Sequence, residues 1–264
     1  MGNTSENYYT LVTGATAGIG KQIAIECAKR KLNLFLVSLP DSGIEKLAEE
    51  LKTQYFVDVQ FLSVDLTLYE APQMVFDFAQ KNKIQINILV NNAGVGFNGK
   101  FEKLIPKFVD DMILLNIRAS TLLTLLFLPE MTKQKNAHIL NISSFAALSP
   151  LPYKSVYAAS KTYLFFLTRA LNRELKNTNV KITSIHPSGV NSERTAENIR
   201  KSSFMSRLSS LSPEQVAQIA IKNMLKGKKF VVPGLMTKIY YFLGVILPHG
   251  IVLRLTGIIF RKFS

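Results

Sequence analysis

A doubly wound α/β fold is what the sequence predicts, with a mostly parallel sheet of seven strands covered by helices on both faces. Short apolar runs alternate with helical segments through most of the chain, as in repeated β-α-β units. The apolar runs suit strands that are buried on both faces of a parallel sheet. A length of 264 residues suits one such domain with a continuous core.

The predicted elements follow one another without a repeat or a low-complexity segment. Strands are expected at residues 11–12, 34–37, 59–64, 86–90, 138–142, 180–185 and 230–232. Helices are expected at residues 19–31, 44–54, 72–81, 107–130, 156–175 and 213–226. Residues 1–234 are therefore expected to form the main domain, and residues 235–264 a basic, apolar C-terminal extension.

A glycine-rich turn joins the first predicted strand to the first helix, with glycines spaced Gly-x-x-x-Gly-x-Gly. Glycine permits backbone conformations closed to other residues and lets a phosphate approach the amides of a helix N-terminus. Such a turn after a strand predicts a Rossmann-type dinucleotide site. Its expected pyrophosphate contacts are Gly14, Thr16, Ala17, Gly18, Ile19 and Gly20.

A tyrosine and a lysine lie four residues apart at Tyr157 and Lys161, with Ser144 upstream. On a helix this spacing puts both side chains on one face. A free phenol titrates near pH 10, and a nearby cation lowers that pKa toward a range useful for proton exchange. A serine hydroxyl can bind the same substrate oxygen. The set predicts redox chemistry between a carbonyl and an alcohol.

Taken in order, these motifs resemble the short-chain dehydrogenase/reductase family over roughly residues 8–235. Two further motifs support the resemblance: Asp65-Leu66 is similar to the family's adenine-contacting pair, and Asn91-Asn92-Ala93-Gly94 to its fourth-strand motif. Asn116 falls where the family places an asparagine that supports a water and proton relay.

The resemblance implies a role for each catalytic candidate. Tyr157 would be the acid/base, and Ser144 would position the carbonyl. Lys161 would lower the pKa of Tyr157 and bind the nicotinamide ribose, so that both Tyr157 and Lys161 also contact the cofactor. Asn116 would complete the group.

The chain departs from the family pattern at two places. The family commonly has Pro-Gly after its sixth strand, whereas this chain has Pro187-Ser188-Gly189-Val190, and we expect Pro187, Gly189 and Val190 to contact the cofactor there. The second strand ends at Ser38, where an acidic residue would hold the ribose of NAD and an arginine the phosphate of NADP. Because Ser38 does not repel a phosphate, NADP is weakly preferred over NAD.

The formal net charge of +14 is concentrated toward the C-terminus, where no acidic residue follows Glu214. The uncharged stretch at residues 239–253 is too short for a clean transmembrane span, which needs about 20 residues. Two interpretations of the extension remain open. It could contact an anionic membrane surface peripherally, or it could cover the cleft or an interface between subunits. Nucleic-acid binding is not expected, because the basic residues alternate with large aliphatic ones.

Several single residues favour structural roles. Cys27, the only cysteine, is expected to be a buried small hydrophobe. The three histidines are far apart in sequence, so no metal site is expected, and a structural role is expected for His186. For Tyr153, which precedes Tyr157 by four residues, lining the substrate entrance and packing are equally open.

The sequence thus predicts an NAD(P)(H)-dependent oxidoreductase acting on a carbonyl or secondary alcohol of an apolar, lipid-like small molecule. A nucleotide-sensing or scaffold protein without turnover, and an epimerase using a transient ketone, are the alternatives. Residues 195–211 are expected to form a substrate lid or a solvated connector. The apolar helices at 107–130 and 156–175 predict a homodimer or homotetramer. The N-terminal residues lack an apolar core, so a cytoplasmic protein, peripheral to a membrane or free of it, is expected.

Overall fold

A computed structural model of the chain describes residues 8–190 and 210–261. Its seven strands form one sheet in which every pairing is parallel. The strands are β1 Tyr8–Thr13, β2 Asn33–Ser38, β3 Val59–Ser63, β4 Gln85–Asn91, β5 Ala137–Ile142, β6 Val180–Ile185 and β7 Phe230–Val231. Their order across the sheet is β3-β2-β1-β4-β5-β6-β7. The predicted α/β fold with seven parallel strands is confirmed.

Helices connect the strands and extend beyond the last one. They are α1 Gly18–Lys29, α2 Ile44–Tyr55, α3 Ala71–Lys81, α4 Pro106–Ile113, α5 Ser120–Thr132, α6 Ser155–Glu174, α7 Pro213–Leu225, α8 Leu235–Ile246 and α9 His249–Arg261. Helix α7 begins with a reciprocal cap, because Ser212 accepts from the Gln215 amide while the Gln215 side chain accepts from the Ser212 amide. The six predicted helices correspond to α1, α2, α3, the run from α4 to α5, α6 and α7.

The core lies on both faces of the sheet. On one face, α1, α2 and α7 bury Ile23, Leu47 and Val216 against the strands. On the other face, α3 and α5 bury Val75 and Phe127. Strand residues that alternate along β1 and β2 contribute to the two clusters, so a continuous apolar strand is buried on both sides as the sequence indicated.

The helix predicted at residues 107–130 has an unexpected interruption. Between α4 and α5 the residues Leu114–Ala119 form a π-helical segment, so that the whole helical run extends over Pro106–Thr132. Within the described ranges this is the one helix that could cross a membrane by length and composition, with 39% of its apolar window buried in the domain. Its buried residues, including Leu123, Phe127 and Met131, pack in the hydrophobic core against the sheet.

The C-terminal extension forms α8 and α9, two consecutive apolar helices. Thr237 of α8 is completely buried and Val252 of α9 is 8% exposed. The Tyr241 ring packs on Phe230 of β7 at a centroid distance of 5.4 Å. The extension therefore contacts the domain while leaving much of its apolar surface exposed.

The functional site is expected where the strand order reverses. The chain crosses from the β3 side of β1 to the β4 side, so the carboxyl ends of β1 and β4 border a crevice. Ligands of open α/β sheets bind in that crevice. The glycine-rich turn follows β1, and the segment beginning at Asn91 ends β4.

Candidate active site

The turn after β1 is closed around two of its glycines. Gly14 has φ +63°, in the left-handed region that glycine tolerates. A Cβ on Gly20 would lie 2.1 Å from the Gly14 carbonyl oxygen and 2.4 Å from Nδ2 of Asn92. No larger residue fits at position 20 without displacing the backbone of the turn. Gly18, with φ +53°, has open space where a Cβ would be, and Ala17 offers no side-chain cap to the first amides of α1.

Hydrogen bonds from Thr13 join this turn to the end of β4. The Thr13 hydroxyl accepts from the amides of Asn92 and Ala93, each at 3.0 Å, and donates to the carbonyl of Val90 at 3.2 Å. The Asn92 side-chain amide donates to the carbonyls of Thr13 and Gly14 at 2.9 and 3.1 Å. The predicted cofactor motifs at Gly14 and Asn92 are thus brought together. These hydrogen bonds fix the ends of β1 and β4 at the base of the crevice.

The ends of β2 and β3 contribute polar groups to the same edge of the sheet. The hydroxyls of Thr16 and Ser38 lie 2.7 Å apart. Asp65, which follows β3, accepts from the amide and the hydroxyl of Thr67 at 2.9 and 2.8 Å, and Leu66 is 4% exposed. Ser38 and Asp65 thus lie at the ends of neighbouring strands, as their motifs predict for parallel strands β2 and β3.

Asn91 differs from its neighbours because its side chain lies beneath the crevice. It is 2% exposed, and its amide donates to Asn141 at 2.8 Å and to Thr124 at 3.1 Å. Asn141 in turn donates to Thr168 at 2.8 Å. This buried polar chain links β4, β5, α5 and α6, so the side chain of Asn91 supports the crevice from below.

The catalytic candidates Ser144, Tyr157 and Lys161 come together beyond the carboxyl end of β5. Ser144 follows β5 and starts a short 3-10 turn, Phe145–Leu148, where its side chain accepts from the Ala146 amide at 3.1 Å. Tyr157 and Lys161 lie on the first turns of α6, and a hydrogen bond joins Tyr157 to Ser144. The structure therefore brings together Ser144, Tyr157 and Lys161, as the sequence predicted.

Lys161 is held by the end of β5. Its Nζ donates to the carbonyl of Ile142 at 3.0 Å and lies 6.0 Å from the centroid of the Tyr157 ring. The Ser143 hydroxyl donates to the backbone carbonyl of Lys161 at 2.9 Å, which fixes the start of α6 against the strand. Burial lowers the pKa of Lys161 to about 8, because a charged amine loses hydration in the domain interior.

Asn116 lies in the π-helical segment and is completely buried. Its carboxamide accepts from the amide of Val95 at 2.9 Å and donates to the Val95 carbonyl at 2.9 Å and to the Ser160 hydroxyl at 3.0 Å. Ser160 in turn donates to the backbone carbonyl of Tyr157 at 2.8 Å. Asn116 therefore links the segment after β4 to the helix that carries Tyr157.

Two glycines after β4 let the backbone approach the catalytic side chains. A Cβ on Gly94 would lie 2.9 Å from Oδ1 of Asn116 and 3.1 Å from Nζ of Lys161. A Cβ on Gly96 would lie 3.0 Å from the Tyr157 ring. Gly94 was predicted from its motif, whereas Gly96 was not singled out by the sequence reasoning.

The pKa of Tyr157 is raised, because burial disfavours the phenolate more strongly than the hydrogen bond with Ser144 favours it. This direction is opposite to the one expected from the spacing of Tyr157 and Lys161. The physical reason is that the spacing shows where a cation lies but not how much water the phenol loses. The phenol consequently stays protonated at neutral pH.

His186 orients Ser144 from behind. Its Nδ1 lies 3.1 Å from the carbonyl oxygen of Ser144 and its Nε2 lies 3.0 Å from the hydroxyl of Ser184. A carbonyl only accepts, so Nδ1 carries the proton and Nε2 accepts from Ser184. Burial lowers the pKa of His186 to about 4, and the rings of Phe165 and Phe230 pack on it at 4.8 Å. The predicted structural role is confirmed.

The segment after β6 keeps its place beside Ser144. The carbonyl of Pro187 accepts from the Phe145 amide at 2.8 Å, and the carbonyl of Gly189 accepts from the Leu211 amide at 3.2 Å. Val190 forms an isolated parallel bridge with Leu211. Pro187, Gly189 and Val190 thus follow β6, and Pro187 is hydrogen-bonded to the segment that begins at Ser144. Nearly all of the lid expected at residues 195–211 lies outside the described residues.

Tyr153 is not part of the helix that carries Tyr157, since α6 begins at Ser155. Its φ of +64° places it in a left-handed turn, and its carbonyl accepts from the Gly99 amide at 2.9 Å. It lines a narrow cleft together with Phe97, Lys154 and Tyr157. Its two roles, lining the substrate entrance and packing, both stay predictions.

Other expectations and omissions concern buried groups. Cys27 is completely buried, and burial raises the pKa of its thiol to about 12, so the expected structural role is confirmed. Within residues 8–190 and 210–261 no three His, Cys, Asp or Glu side chains could together hold a metal ion. The sequence reasoning did not single out Thr13 or Ser160. A polar residue at the end of a buried strand was the available signal for Thr13, whereas the contact between Ser160 and Asn116 has no local sequence signal.

Comparison with known proteins identifies the family. The model of the short chain dehydrogenase family matches residues 9–203. The NADP-dependent 3-hydroxy acid dehydrogenase of Schizosaccharomyces pombe is 30% identical over 236 residues, which cover 84% of this chain and 88% of that protein. The very-long-chain 3-oxoacyl-CoA reductase of Anas platyrhynchos is 33% identical over 185 residues, 68% of this chain and 58% of that protein. The chain thus spans less than two thirds of the length of some curated relatives.

Solved structures agree on the fold. A structure of a 7beta-hydroxysteroid dehydrogenase superposes with a TM-score of 0.86 at 21% identity, over 97% of this chain and all of the other. A short-chain dehydrogenase from Sphingobium yanoikuyae in complex with NADPH gives 0.77 at 24% identity, over 91% and 96%. The chain belongs to the short chain dehydrogenase family, and the resemblance drawn from the ordered motifs is confirmed.

Proposed function

We propose that the chain is an oxidoreductase that transfers a hydride between a nicotinamide dinucleotide and a carbonyl or secondary alcohol of an apolar substrate. The observation that carries the proposal is the meeting of Ser144, Tyr157 and Lys161 beside the glycine-rich turn in one crevice. Family membership and the names of the relatives, which are reductases and dehydrogenases, support it.

The crevice fits a dinucleotide on its own geometry. Open space at Gly18 and uncapped amides at the start of α1 suit a pyrophosphate. Thr16, Ala17, Ile19 and Gly20 complete that turn, and Asp65 and Leu66 border the adenosine side. Ala93, Gly94, Pro187, Gly189 and Val190 border the nicotinamide side. Asn91 and Asn92 brace the floor. When bound, the nicotinamide supplies or accepts the hydride.

The catalytic residues divide the remaining work. Tyr157 exchanges the proton with the substrate oxygen, and Ser144, fixed by its bond to His186, orients that oxygen. Lys161 keeps a positive charge near Tyr157 and contacts the nicotinamide ribose, and Asn116 fixes the backbone around them. The phenol is protonated at neutral pH, so Tyr157 can donate the proton that carbonyl reduction requires.

NADP(H) is the proposed cofactor. The end of β2 offers the hydroxyls of Ser38 and Thr16 and no carboxylate at that position. A hydroxyl can donate to a phosphate, whereas an acidic residue there would repel it. An NADP-dependent relative and an NADPH-bound family structure are consistent with this choice, although a family structure with NAD bound also matches this chain.

The test is a panel of ketones and alcohols followed at the nicotinamide absorbance, with NADPH and NADH compared for each active substrate. Tyr157→Phe should lower turnover by at least about two orders of magnitude while leaving cofactor affinity nearly unchanged. Tyr163→Phe is the matched control, since Tyr163 lies on the same helix, 38% exposed, and bonds to Thr121 instead of the site. Turnover retained by Tyr157→Phe would exclude the mechanism. Isomerised product without net change of cofactor would indicate the epimerase.

We propose that the chain forms a homodimer or homotetramer through the helices on either side of the catalytic group. Leu125 of α5 and Phe166 of α6 are 63% and 61% exposed, and apolar side chains of this size favour burial in an interface. Light scattering at micromolar concentration should show an oligomer, and Leu125→Glu with Phe166→Glu should dissociate it. A monomer of the unaltered chain would refute the proposal.

Peripheral membrane contact through α8 and α9 is proposed as well, together with a cytoplasmic location. Apolar side chains such as Leu235, Phe242 and Ile258 are 73%, 65% and 59% exposed, and the basic residues among them are suited to anionic lipid headgroups. Vesicles that contain anionic lipid should therefore retain the chain in flotation experiments, and neutral vesicles should not. Equal recovery with both would contradict the electrostatic part.

A further inference from the structure

The two helices of the C-terminal extension each expose large apolar side chains along one face. With the exception of Leu253, these side chains recur at intervals of one, three and four residues, which is the spacing of a single helical face. We call the two exposed faces the apolar stripes. They consist of Leu235, Ile239, Phe242, Leu243 and Ile246 in α8, and of Ile251, Leu255, Ile258 and Ile259 in α9.

Other faces of the same helices pack on the domain. Thr237 of α8 is completely buried, the Tyr241 ring packs on Phe230 of β7, and Val252 of α9 is buried. Each helix thus packs one face on the domain and exposes a second, apolar one. Contiguous exposed apolar surface of this kind marks a place where a protein contacts a partner or a membrane.

Charge identifies the partner of the apolar stripes. Lys238 and Arg254 are exposed, and each lies four residues before a stripe residue, Phe242 or Ile258, so that cations border the stripes. No acidic residue follows Glu214 in the sequence. A second copy of the chain packed on this surface through its own stripes would therefore place cations against cations. A bilayer with anionic headgroups supplies the opposite charge and an apolar layer together.

A lysine-rich turn of the main domain lies beside the extension. Lys226, Lys228 and Lys229 follow α7, and all three side chains are exposed. We call this segment the lysine turn. The Thr183 hydroxyl donates to the carbonyl of Lys228 at 2.7 Å, and the Ser184 amide donates to that of Lys229 at 3.0 Å. These bonds fix the turn against β6 and leave its side chains in solvent.

The end of α7 does not account for all of these cations. Lys226 is favoured by the helix dipole at the C-cap, but Lys228 and Lys229 lie beyond the helix. None of the ion pairs within residues 8–190 and 210–261 involves the three lysines. Lys229 directly precedes Phe230, whose ring packs on Tyr241 of α8. The lysine turn and the extension therefore lie at the same edge of the sheet, the edge formed by β7.

We propose that the β7 edge of the domain docks on a bilayer, with the apolar stripes inserted at the boundary between headgroups and acyl chains and the lysine turn on anionic headgroups. The inference rests on the proposed membrane contact and adds to it an orientation and a headgroup site outside the extension. Apolar helix faces at this boundary are buried to a depth of about 5–10 Å. Each lysine near an anionic surface strengthens binding about five-fold.

Insertion can be tested with a single fluorophore, because the chain has no tryptophan. Phe242→Trp places an indole on the stripe of α8. Phe56→Trp is the matched control, since Phe56 is 85% exposed beside β3, at the opposite edge of the sheet. On vesicles of equimolar phosphatidylcholine and phosphatidylglycerol, brominated acyl chains should quench the first variant and leave the second unchanged. Equal quenching of both variants would overturn the proposed orientation.

A charge substitution tests the lysine turn. Lys228→Gln with Lys229→Gln should weaken binding to the same vesicles by more than about ten-fold. The matched control makes the same change of charge on α2 at the β3 edge, where Lys46 and Lys52 are exposed. Lys46→Gln with Lys52→Gln should weaken binding far less. Equal losses in the two double variants would show that only net charge matters, and would overturn the headgroup site.

The remaining outcomes separate this inference from the proposed function. Turnover of soluble ketones without flotation on any vesicle would overturn the docking and leave the oxidoreductase proposal in place. Flotation without quenching of Phe242→Trp would leave the peripheral contact and overturn the insertion. A blue-shifted emission of Phe242→Trp without vesicles, with an oligomer that survives Leu125→Glu and Phe166→Glu, would mean that a second copy covers the stripes. That result would also overturn the inference.

Discussion

Protonation of His186 should destabilise the folded chain in mild acid. The imidazole is completely buried between Phe165 and Phe230, and burial lowers its pKa from 6.5 to about 4. Below pH 6.5 the unfolded chain binds a proton that the folded chain rejects. Stability is therefore complete above pH 6.5 and is lost as the pH falls toward 4.

The size of the effect follows from the two pKa values. A shift of one unit corresponds to about 1.4 kcal/mol, so the full difference is about 3 kcal/mol, of which about 2 kcal/mol is already lost at pH 5. A typical domain is stable by only about 5–15 kcal/mol. The loss should therefore be visible as a lower urea midpoint at pH 5 than at pH 7.

The variant His186→Gln isolates the contribution of this residue. Burial lowers the pKa of His138 as well, but His138 and all the carboxylates are common to both proteins. The variant should be less stable at pH 7, since the Ser144 and Ser184 partners are disturbed, yet should lose about 2 kcal/mol less between pH 7 and 5. Parallel stability curves, or an imidazole NMR titration of His186 above pH 6, would refute the reasoning.

Three substitutions test the close contacts of the crevice. Gly20→Ala should abolish dinucleotide binding or folding, because the new Cβ would lie 2.1 Å from the Gly14 carbonyl oxygen. Cofactor titration and circular dichroism measure the two effects. Full binding would contradict the prediction and show that the turn can relax. Asn116→Ala removes three hydrogen bonds of a buried side chain. The free energy of unfolding in urea should fall by about 2–3 kcal/mol, and kcat should also fall. An unchanged urea midpoint would contradict the bridging role of Asn116. Gly96→Ala should lower kcat several-fold without changing cofactor affinity, because the new Cβ would lie 3.0 Å from the Tyr157 ring. An unchanged kcat would contradict this and mean that the ring is free to shift.

Much of the fold could be predicted because its signals are local. The strands are short apolar runs. The turn after β1 requires glycine at positions 14 and 20, where a larger residue would not fit. The π-helical segment around Asn116 could not be predicted, because its sequence suits an ordinary helix and the wider turn is selected by contacts with Val95 and Ser160. The identities of the site residues were local, whereas their hydrogen-bond partners depend on tertiary packing.

The electrostatics of the site show the same limit. The spacing of Tyr157 and Lys161 indicated that they would be neighbours, and both lie on the first turns of α6. Their pKa values depend on burial, which spacing does not reveal. The pKa of Tyr157 is raised, whereas the sequence predicted that it would be lowered. Desolvation of a phenol can be read only from the chain segments packed around it, here including Gly96.

The two pKa shifts act in the same direction on the chemistry. With a pKa of about 8, Lys161 is still about nine-tenths protonated at pH 7, so it keeps its positive charge beside a phenol that remains neutral. Alcohol oxidation needs the phenolate, and the cation that would stabilise it loses its charge as the pH rises through 8. Carbonyl reduction needs only the neutral phenol as a proton donor. The burial that opposes the expected lowering of the Tyr157 pKa therefore keeps the phenol in the neutral form that can donate a proton to a carbonyl oxygen.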